Sequence, residues 1–317
     1  MTKLSVLAPV YQNEKLIKNF VLGVSEICDR LDISYEIILV NDGSTDESWQ
    51  ILCQLVGEVS NLRIIDLTHN FGQHRAVLAG CEYCNGEWIV IIDSDLEEDP
   101  ELIPTLFYRA IENQANIQVV RKALVRRNFS YKFMRKLFYY LFKKLSDFRY
   151  VVGVSNYGIY HRTLISQMMA DKSPYPFIPA LVNKYASKIE HLEIDQSKAE
   201  SSPTSYSFRK LIKHAVLIIV NNSKKPLYLI AKIGFITSLF TMTYALYILV
   251  DFVLNQNAPS GWTSLALLIS TGFSVTLFNL GIISLYFSTF MEYIFDGPKP
   301  QVRSNFNSQA IGNSRND

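Results

Sequence analysis

Short apolar runs alternate with longer amphipathic stretches through the first 120 residues of the chain. Four of the runs are rich in isoleucine, leucine and valine, as buried strands are, and they predict strands at Leu4–Ala8, Tyr35–Val40, Leu62–Leu67 and Trp88–Ile92. The stretches between and after them predict helices at 14–31, 46–57, 73–84 and 100–113. This alternation indicates an α/β fold with a mostly parallel sheet and flanking helices, in which ligands bind at the carboxyl ends of the strands.

The last third of the chain is far more apolar. Leu227–Val250 contains one charged residue, Lys232, and Phe252–Met291 contains none. Each stretch is longer than the ~20 residues that cross a hydrocarbon core, so we expect two transmembrane helices, at 226–251 and 262–291. Lysine and arginine flank the outer ends of this pair but do not occur in the loop between them, which predicts an inner (cytoplasmic) membrane protein with both termini cytoplasmic.

Two basic segments, 131–145 and 206–225, carry apolar residues on one helical face and lysine and arginine beside it. Such amphipathic helices lie on membrane surfaces, although two ordinary packed helices would give the same pattern. The tail 303–317 is rich in asparagine and serine, which predicts disorder. The expected organisation is a cytosolic domain over 1–205, a juxtamembrane helix over 206–225, a two-helix membrane anchor and a cytoplasmic tail.

Charge is unevenly distributed along the chain. The formal net charge is only +2, yet the segment from Arg121 to Arg149 holds ten lysine or arginine residues and a single acid, Asp147. Such a segment suits phosphate groups or an anionic lipid surface. Nucleic acid is the weaker interpretation, because no nucleic-acid-binding motif accompanies the basic segment. The single C-x-x-C pair, Cys81 and Cys84, lies in an apolar stretch without a second pair, which favours buried packing over zinc.

Three polar clusters fall where predicted strands end: Pro9–Glu14, Asn41–Asp46 and Asp93–Asp95. Alternate side chains of an extended chain point the same way, so Asp93 and Asp95 would face one side together, and Glu97 would continue that face if the backbone stays extended. Three carboxylates suit a hard divalent cation, which could hold a diphosphate. The alternative is an acidic loop that only caps the following helix. The shared location of the three clusters favours a site.

Four motifs resemble, in this order, those of family 2 glycosyltransferases with the GT-A fold: Pro9–Glu14, Val40–Asp46, Asn70–Ala76 and Asp93–Glu97. Ser205–Leu211 and Lys225–Leu227, followed by two predicted membrane helices, are similar to the polyprenyl-phosphate branch of that family, which is related to dolichol-phosphate mannose synthase. The resemblance implies inverting transfer of a sugar from a UDP- or GDP-linked donor to a polyprenyl phosphate such as undecaprenyl phosphate, for cell-envelope glycan modification. It also implies a possible homo-oligomer, such as a tetramer.

The resemblance assigns roles to individual residues. The nucleotide sugar would contact Pro9, Tyr11, Glu14, Asp42, Gly72, Gln73, Ser94 and Asp95. Asp93 and Asp95 would be the catalytic pair and would bind Mg²⁺ or Mn²⁺ with Glu97, which stands where the family usually has glutamine. Asn156 stands where an acid is common, and Lys198 is the candidate for a missing family arginine.

The expected acceptor, a lipid phosphate, is already largely anionic at pH 7, since its second pKa is about 6. It therefore needs no carboxylate base to remove a proton, but it does need cations. Arginine pairs with phosphate oxygens in a fork-shaped geometry, so we expect the phosphate at Arg121, Arg126 and Arg127, with Lys198 and Arg209 as a second group. Attraction to anionic headgroups is the alternative role for each of them.

Two other hypotheses are compatible with the sequence. A transferase acting on a hydroxyl of a lipid-linked glycan would need a carboxylate base, and Asp147 or Glu190 would have to serve. A catalytically silent scaffold subunit would carry a degenerate site, but both aspartates of the D-x-D motif are kept. His69 and His74 are expected to be structural residues rather than metal ligands.

Overall fold

The computed structural model describes residues 2–122, 154–171, 173, 176–195, 261–294 and 300–308, with scattered positions between 225 and 254. The predicted amphipathic helix at 131–145 and nearly all of the one at 206–225 lie outside the described residues. So do four of the lipid-phosphate candidates: Arg126, Arg127, Lys198 and Arg209. The chain divides into two compact units, which are described separately.

The first unit contains these elements: β1 (Leu4–Val10), α1 (Ile17–Asp29), β2 (Tyr35–Asn41), α2 (Ser48–Glu58), β3 (Leu62–Leu67), α3 (Gln73–Cys81), β4 (Trp88–Ile91), α4 (Leu102–Asn113), β5 (Asn116–Lys122), β6 (Val154–His161), α5 (Arg162–Met169), α6 (Ile178–Tyr185), β7 (Ile189–Asp195) and β8 (Val302–Asn307). The second unit contains α7 (Trp262–Ile294). The four predicted strands and four predicted helices of the first 120 residues are confirmed, with small differences at their ends.

The strands form one eight-stranded sheet in the order β7-β5-β6-β4-β1-β2-β3-β8. The four neighbours β4, β1, β2 and β3 are parallel to one another, whereas β6 runs antiparallel to β4 and β5, and β8 runs antiparallel to β3. The predicted α/β architecture with a mostly parallel central sheet is confirmed. Because the four central strands are parallel, their carboxyl ends meet at one edge of the sheet.

Helices cover both faces of this sheet. Leu4 and Val6 of β1 belong to a buried cluster that includes residues of α1, α2 and α4. Leu7, which points the opposite way, belongs to a second cluster that includes residues of α3, α5 and α6. Strands buried on both faces are apolar at nearly every position, which explains why their runs in the sequence do not alternate with polar residues.

The predicted disorder of 303–317 was wrong for its first residues. Val302–Asn307 forms β8 and pairs antiparallel with β3. The ring of Phe306 also lies 6.2 Å from that of Trp49 in α2. A polar segment is ordered here because an existing strand offers it hydrogen-bond partners, which composition alone does not reveal. Residues 309–317 lie outside the described residues.

The second apolar stretch, 262–291, lies within α7, so its predicted helical conformation is confirmed. The described positions between 225 and 254 are also helical. Among the described residues, no helix long and apolar enough to cross a membrane is identified.

Gly158 in β6 tests the packing of the sheet, because a Cβ added there would lie 2.5 Å from the carbonyl oxygen of Ile117 in β5. We expect Gly158→Ala to push these strands apart and to lower the free energy of unfolding by about 1–3 kcal/mol. Thermal unfolding followed by circular dichroism would measure the loss.

Gly57→Ala in α2 is the matched control. A Cβ there meets nothing within 4 Å, and alanine favours the helix more than glycine does, so the midpoint should stay the same or rise. Equal midpoints for Gly158→Ala and the wild type would contradict the close approach of β5 and β6.

Candidate active site

The carboxyl ends of β1, β2 and β4, with the loop before α3, surround a cavity of about 360 Å³. Most of its lining residues have polar side chains, and the lining comprises Pro9, Tyr11, Gln12, Asn13, Asp42, Asn70, Gly72, Gln73, Asp93, Ser94 and Asp95. The structure thus brings together every residue predicted to contact the nucleotide sugar except Glu14. The cavity lies at the edge of the sheet where α/β folds bind ligands.

The loops after β1 and β4 are held together by Asn13. Its amide donates hydrogen bonds to the carbonyl oxygen (2.7 Å) and the hydroxyl (3.2 Å) of Ser94. The Ser94 hydroxyl in turn donates to the carbonyl oxygen of Pro9 at 2.8 Å. Asn13 was not predicted as a site residue, although it stands inside the Pro9–Glu14 motif. Tyr11, in the same loop, lines the cavity with 46% of its surface exposed, so its ring is accessible to a ligand.

Glu14 points to the neighbouring helix α2. Its backbone N–H donates to Oδ2 of Asp46 at 3.2 Å, and its Oε2 accepts from the backbone N–H of Glu47 at 3.2 Å. A carboxylate is favourable at a helix N-terminus, where backbone N–H groups lack partners. Glu14 therefore ties the loop after β1 to the start of α2 and does not line the cavity.

Asp42 fastens the loop that follows β3. Its Oδ1 accepts from the backbone N–H of Phe71 at 2.7 Å and its Oδ2 from that of Gly72 at 2.9 Å. Burial raises the pKa of this carboxyl above its ordinary value, and the two N–H donors offset part of the rise. Gly72 has φ of +91°, a conformation that favours glycine, so the loop reaches Asp42 without steric strain.

Asp93 is the most perturbed acid of the cavity. Burial raises its pKa to about 7, with further increases from the negative charges of Glu98 and Asp95. The side-chain amide of Gln73 donates to Asp93 Oδ1 and lowers the pKa in part. Gln73 therefore holds the carboxylate in one orientation, on the wall that also carries Asp95.

The backbone does not stay extended from Asp93 to Glu97, which was the condition for Glu97 to join the acidic pair. Leu96 adopts a positive φ of 59°, and the Glu97 N–H folds back to donate to Asp95 Oδ1 at 3.0 Å. Glu97 consequently does not continue the face of Asp93 and Asp95. Its exposed carboxylate lies 3.6 Å from Nη1 of Arg121 instead.

The buried residue beside the pair is Glu98, which sequence reasoning missed. Its carboxylate accepts from the backbone N–H of Asp93 at 3.3 Å and from the Ser155 hydroxyl, and it lies 2.9 Å from Nη2 of Arg121. Burial raises its pKa, whereas the Ser155 hydroxyl and the Arg121 charge lower it. Arg121, a predicted lipid-phosphate residue, is thus held beside the acidic pair by two glutamates.

The cavity lining contains carboxylates but, among the described residues that form it, neither lysine nor arginine. Nor are three or more histidine, cysteine, aspartate or glutamate side chains grouped so that they could hold a metal by themselves, within the described part of the chain. Asp93 and Asp95 therefore fit a divalent cation only as partial ligands, with a ligand such as a diphosphate supplying further oxygens.

The histidines and cysteines pack as expected. His74 accepts a hydrogen bond from the backbone N–H of Ile178 at 3.5 Å and meets the ring of Phe177 edge-on, and burial lowers its pKa to about 4. His69 stacks near Phe71, with ring centroids 3.8 Å apart. Cys81 and Cys84 are buried free thiols.

Comparisons with known proteins agree with this geometry. The family model described as "Glycosyl transferase family 2" matches residues 5–172. The "Uncharacterized glycosyltransferase YkcC" of Bacillus subtilis is 28% identical over 294 residues, which cover 93% of this chain and 91% of the relative. An "Undecaprenyl-phosphate 4-deoxy-4-formamido-L-arabinose transferase" of Pseudomonas fluorescens (strain SBW25) is 30% identical over 251 residues, which cover 78% of this chain and 72% of the relative.

Among solved structures, S. aureus TarS 1-349 in complex with UDP-GlcNAc aligns with a TM-score of 0.45 and 18% identity, over 69% of this chain and 66% of that one. The family match covers more than half of the chain and includes every element that surrounds the cavity. The chain is a glycosyltransferase and belongs to glycosyl transferase family 2.

Proposed function

We propose that the chain transfers a sugar from a UDP- or GDP-linked donor to the phosphate of a polyprenyl lipid, with inversion at the anomeric carbon. The observation that carries the proposal is the cavity at the ends of β1, β2 and β4, which joins an accessible Tyr11 ring to the acidic pair Asp93 and Asp95. An aromatic face suits a nucleobase, and the acidic pair suits a cation-bound diphosphate.

The negative charges of the cavity lining and of the donor diphosphate require a divalent cation between them. A diphosphate is anionic, and a lining with Asp42, Asp93 and Asp95 but without a described lysine or arginine would repel it. Mg²⁺ or Mn²⁺, when bound between the pair and the diphosphate, would neutralise the charge that develops on the leaving nucleotide. Asp93 and Asp95 would hold it through their carboxylate oxygens, and Gln73 would keep Asp93 in place.

The chain positions the donor through its loops. Asp42 holds the backbone of Phe71 and Gly72, so the wall contributed by the loop before α3 is fixed before the ligand arrives. Asn13 and Ser94 fix the opposite wall in the same way. A preformed site avoids the entropic cost of ordering two loops at the moment of binding.

The acceptor is a phosphate rather than a hydroxyl. Relatives such as the P. fluorescens protein are named undecaprenyl-phosphate transferases, and a phosphate needs no base at neutral pH. A phosphate oxygen would attack the anomeric carbon in line; the new carbon–oxygen bond forms as the bond to the nucleotide diphosphate breaks, and its electron pair leaves with that diphosphate.

A hydroxyl acceptor would need a carboxylate base, and the described candidate is engaged elsewhere. Glu190 in β7 lies 3.3 Å from Nε of Arg109 and accepts a hydrogen bond from Asn113 at 2.9 Å. It does not line the cavity. The other candidate, Asp147, lies outside the described residues.

The lipid acceptor implies a membrane location, which we also propose. Its support is the apolar character of 226–251 and 262–291, together with large apolar side chains exposed along α7, such as Phe273, Phe278 and Phe287. Exposed apolar surface of this extent is suited to lipid or to another helix. Within the described part of the chain, a Cβ added at Gly272 or Gly281 meets nothing within 4 Å, so α7 presents small residues on which a second copy could pack.

The proposal predicts a specific product. Membranes containing the protein, incubated with labelled UDP- and GDP-sugars and undecaprenyl phosphate, should form a sugar phospholipid that extracts into organic solvent. The product should resist mild alkali and release its sugar in mild acid, because the sugar is joined to a single phosphate at its anomeric carbon. Label that appears only on glycan hydroxyls, or no product from any common donor, would contradict the proposal.

Asp95→Asn should distinguish the charge that Asp95 contributes to the acidic pair from the hydrogen bond by which it supports the turn. The amide oxygen can still accept the Glu97 N–H, so the turn survives, but a charged cation ligand is lost. Because metal assistance is worth several kcal/mol, we expect kcat/KM to fall by about 10²-fold or more. Glu97→Gln is the control and should change kcat/KM by less than about threefold, since Glu97 is exposed and off the cavity. Similar losses in both variants would exclude the assigned roles.

Arg121→Lys tests the proposed acceptor site. Lysine keeps the charge beside Glu98 but cannot bind phosphate oxygens with a two-pronged guanidinium. We expect KM for the lipid phosphate to rise about tenfold with little change in KM for the donor. Arg109→Lys, which alters another arginine–glutamate pair, should leave both values near those of the wild type. Equal increases for donor and acceptor would argue against a phosphate role for Arg121.

A further inference from the structure

A buried carboxylate at the end of β3 connects the C-terminal strand to the candidate active site. The side chain of Asp66 is 4% exposed, and its Oδ2 lies 3.5 Å from Nη1 of Arg303 in β8. Its other oxygen, Oδ1, accepts a hydrogen bond from the side-chain amide of Asn41 at 2.7 Å, and this bond is buried. Arg303 and Asn41 thus contact different oxygens of one carboxylate.

An irregularity in the pairing of β3 with β8 brings Arg303 to this position. Asp66 pairs with Ser304 and Leu67 pairs with Val302, so the register shifts at Arg303. Such bulges redirect a side chain and are frequent beside functional sites. The redirected guanidinium also donates from Nη2 to the carbonyl oxygen of Thr68 at 2.8 Å, the first residue after β3.

Arg303 contacts Asp66, which is bonded to Asn41, and Thr68. Asn41 and Thr68 each stand within two residues of a residue that lines the cavity. Asn41 directly precedes Asp42 and accepts a hydrogen bond from the Ser44 N–H at 3.3 Å, so it organises the loop after β2. Thr68 begins the loop that ends at Gly72, whose N–H is held by Asp42. The two loops touch: a Cβ added to Gly43 would lie 2.5 Å from the carbonyl carbon of His69.

We propose that Arg303 is a positioning residue for the nucleotide-diphosphate cavity, which makes the C-terminal strand β8 a functional part of the donor site; this inference rests on the proposed function. Arg303 orients Asp66, and through Asn41 it sets the loop that carries Asp42. Through Thr68 it sets the loop that Asp42 holds. The guanidinium itself is 63% exposed, and exposed ion pairs contribute little stability. The assignment therefore rests on where the contacts of Arg303 lie and not on the strength of the ion pair.

The test is donor binding by the full chain in detergent, measured by titration calorimetry with UDP and with GDP in the presence of Mg²⁺. Arg303→Gln removes the positive charge and with it the ion pair to Asp66. The dissociation constant of the bound nucleotide should therefore rise about five- to tenfold. In turnover assays KM for the nucleotide sugar should rise by a similar factor, with KM for undecaprenyl phosphate and kcat close to wild type. Arg303→Lys should recover part of the loss.

Phe306→Ala is the control within the same strand, because it removes the ring that lies near Trp49 at a position that pairs with Ile64 and not with Asp66. It should lower the thermal midpoint without weakening nucleotide binding. Asp66→Asn should weaken binding, and adding Arg303→Gln to it should cause less than the sum of the two losses.

If the wild type binds UDP or GDP and Arg303→Gln binds it with the same affinity, this inference is overturned and the proposed function stands. Equal loss of affinity in Arg303→Gln and Phe306→Ala would also overturn it, since β8 would then act only through stability. If the wild type bound neither UDP nor GDP, the proposed function would fail, and the inference with it.

Discussion

Repulsion among carboxylates at the carboxyl edge of the sheet is the constraint on which the candidate site depends. Asp42, Asp93, Asp95 and Glu98 follow two strands that are both hydrogen-bonded to β1. Two of them are compensated within the protein: Asp42 by a pair of backbone N–H groups, and Glu98 by Arg121 and Ser155. Asp93 and Asp95 share the cavity without a lysine or arginine among its described lining residues.

The four acids therefore differ in how fully the protein compensates their charge. A buried carboxylate is stable only when charge or hydrogen bonds compensate it, and Glu98 meets that condition while supporting the backbone of Asp93. Asp93 meets it only in part: the Gln73 amide donates to it and the charge of Arg121 lowers its pKa, but burial and the negative charges of Glu98 and Asp95 raise that pKa to about 7. A partly compensated acid in a cleft is a candidate to bind a ligand that relieves its charge, so the arrangement favours an active transferase over a silent scaffold.

Most of the fold and most of the cavity lining could be predicted from the sequence, and one physical reason accounts for both. Strands buried on both faces leave continuous apolar runs, and parallel order follows from the helices between them. The clusters after those strands must then meet at one edge. Glu98 and Glu14 could not be placed in this way, because their positions depend on the turn at Leu96 and on the start of α2. Local backbone turns of this kind are not encoded in side-chain periodicity.

The C-terminal strand was missed for a different physical reason, and that reason accounts for Arg303. An unpaired β3 would expose a row of backbone N–H and C=O groups, and β8 pairs with this edge although its sequence is polar. Once covered, the Asp66 carboxylate is buried and requires a partner. Arg303 in β8 meets this need, because the strand that covers Asp66 also brings the positive charge to it. The strand that covers the edge of β3 therefore also supplies the positive charge beside Asp66, and the other oxygen of that carboxylate is bonded to Asn41, the residue before Asp42.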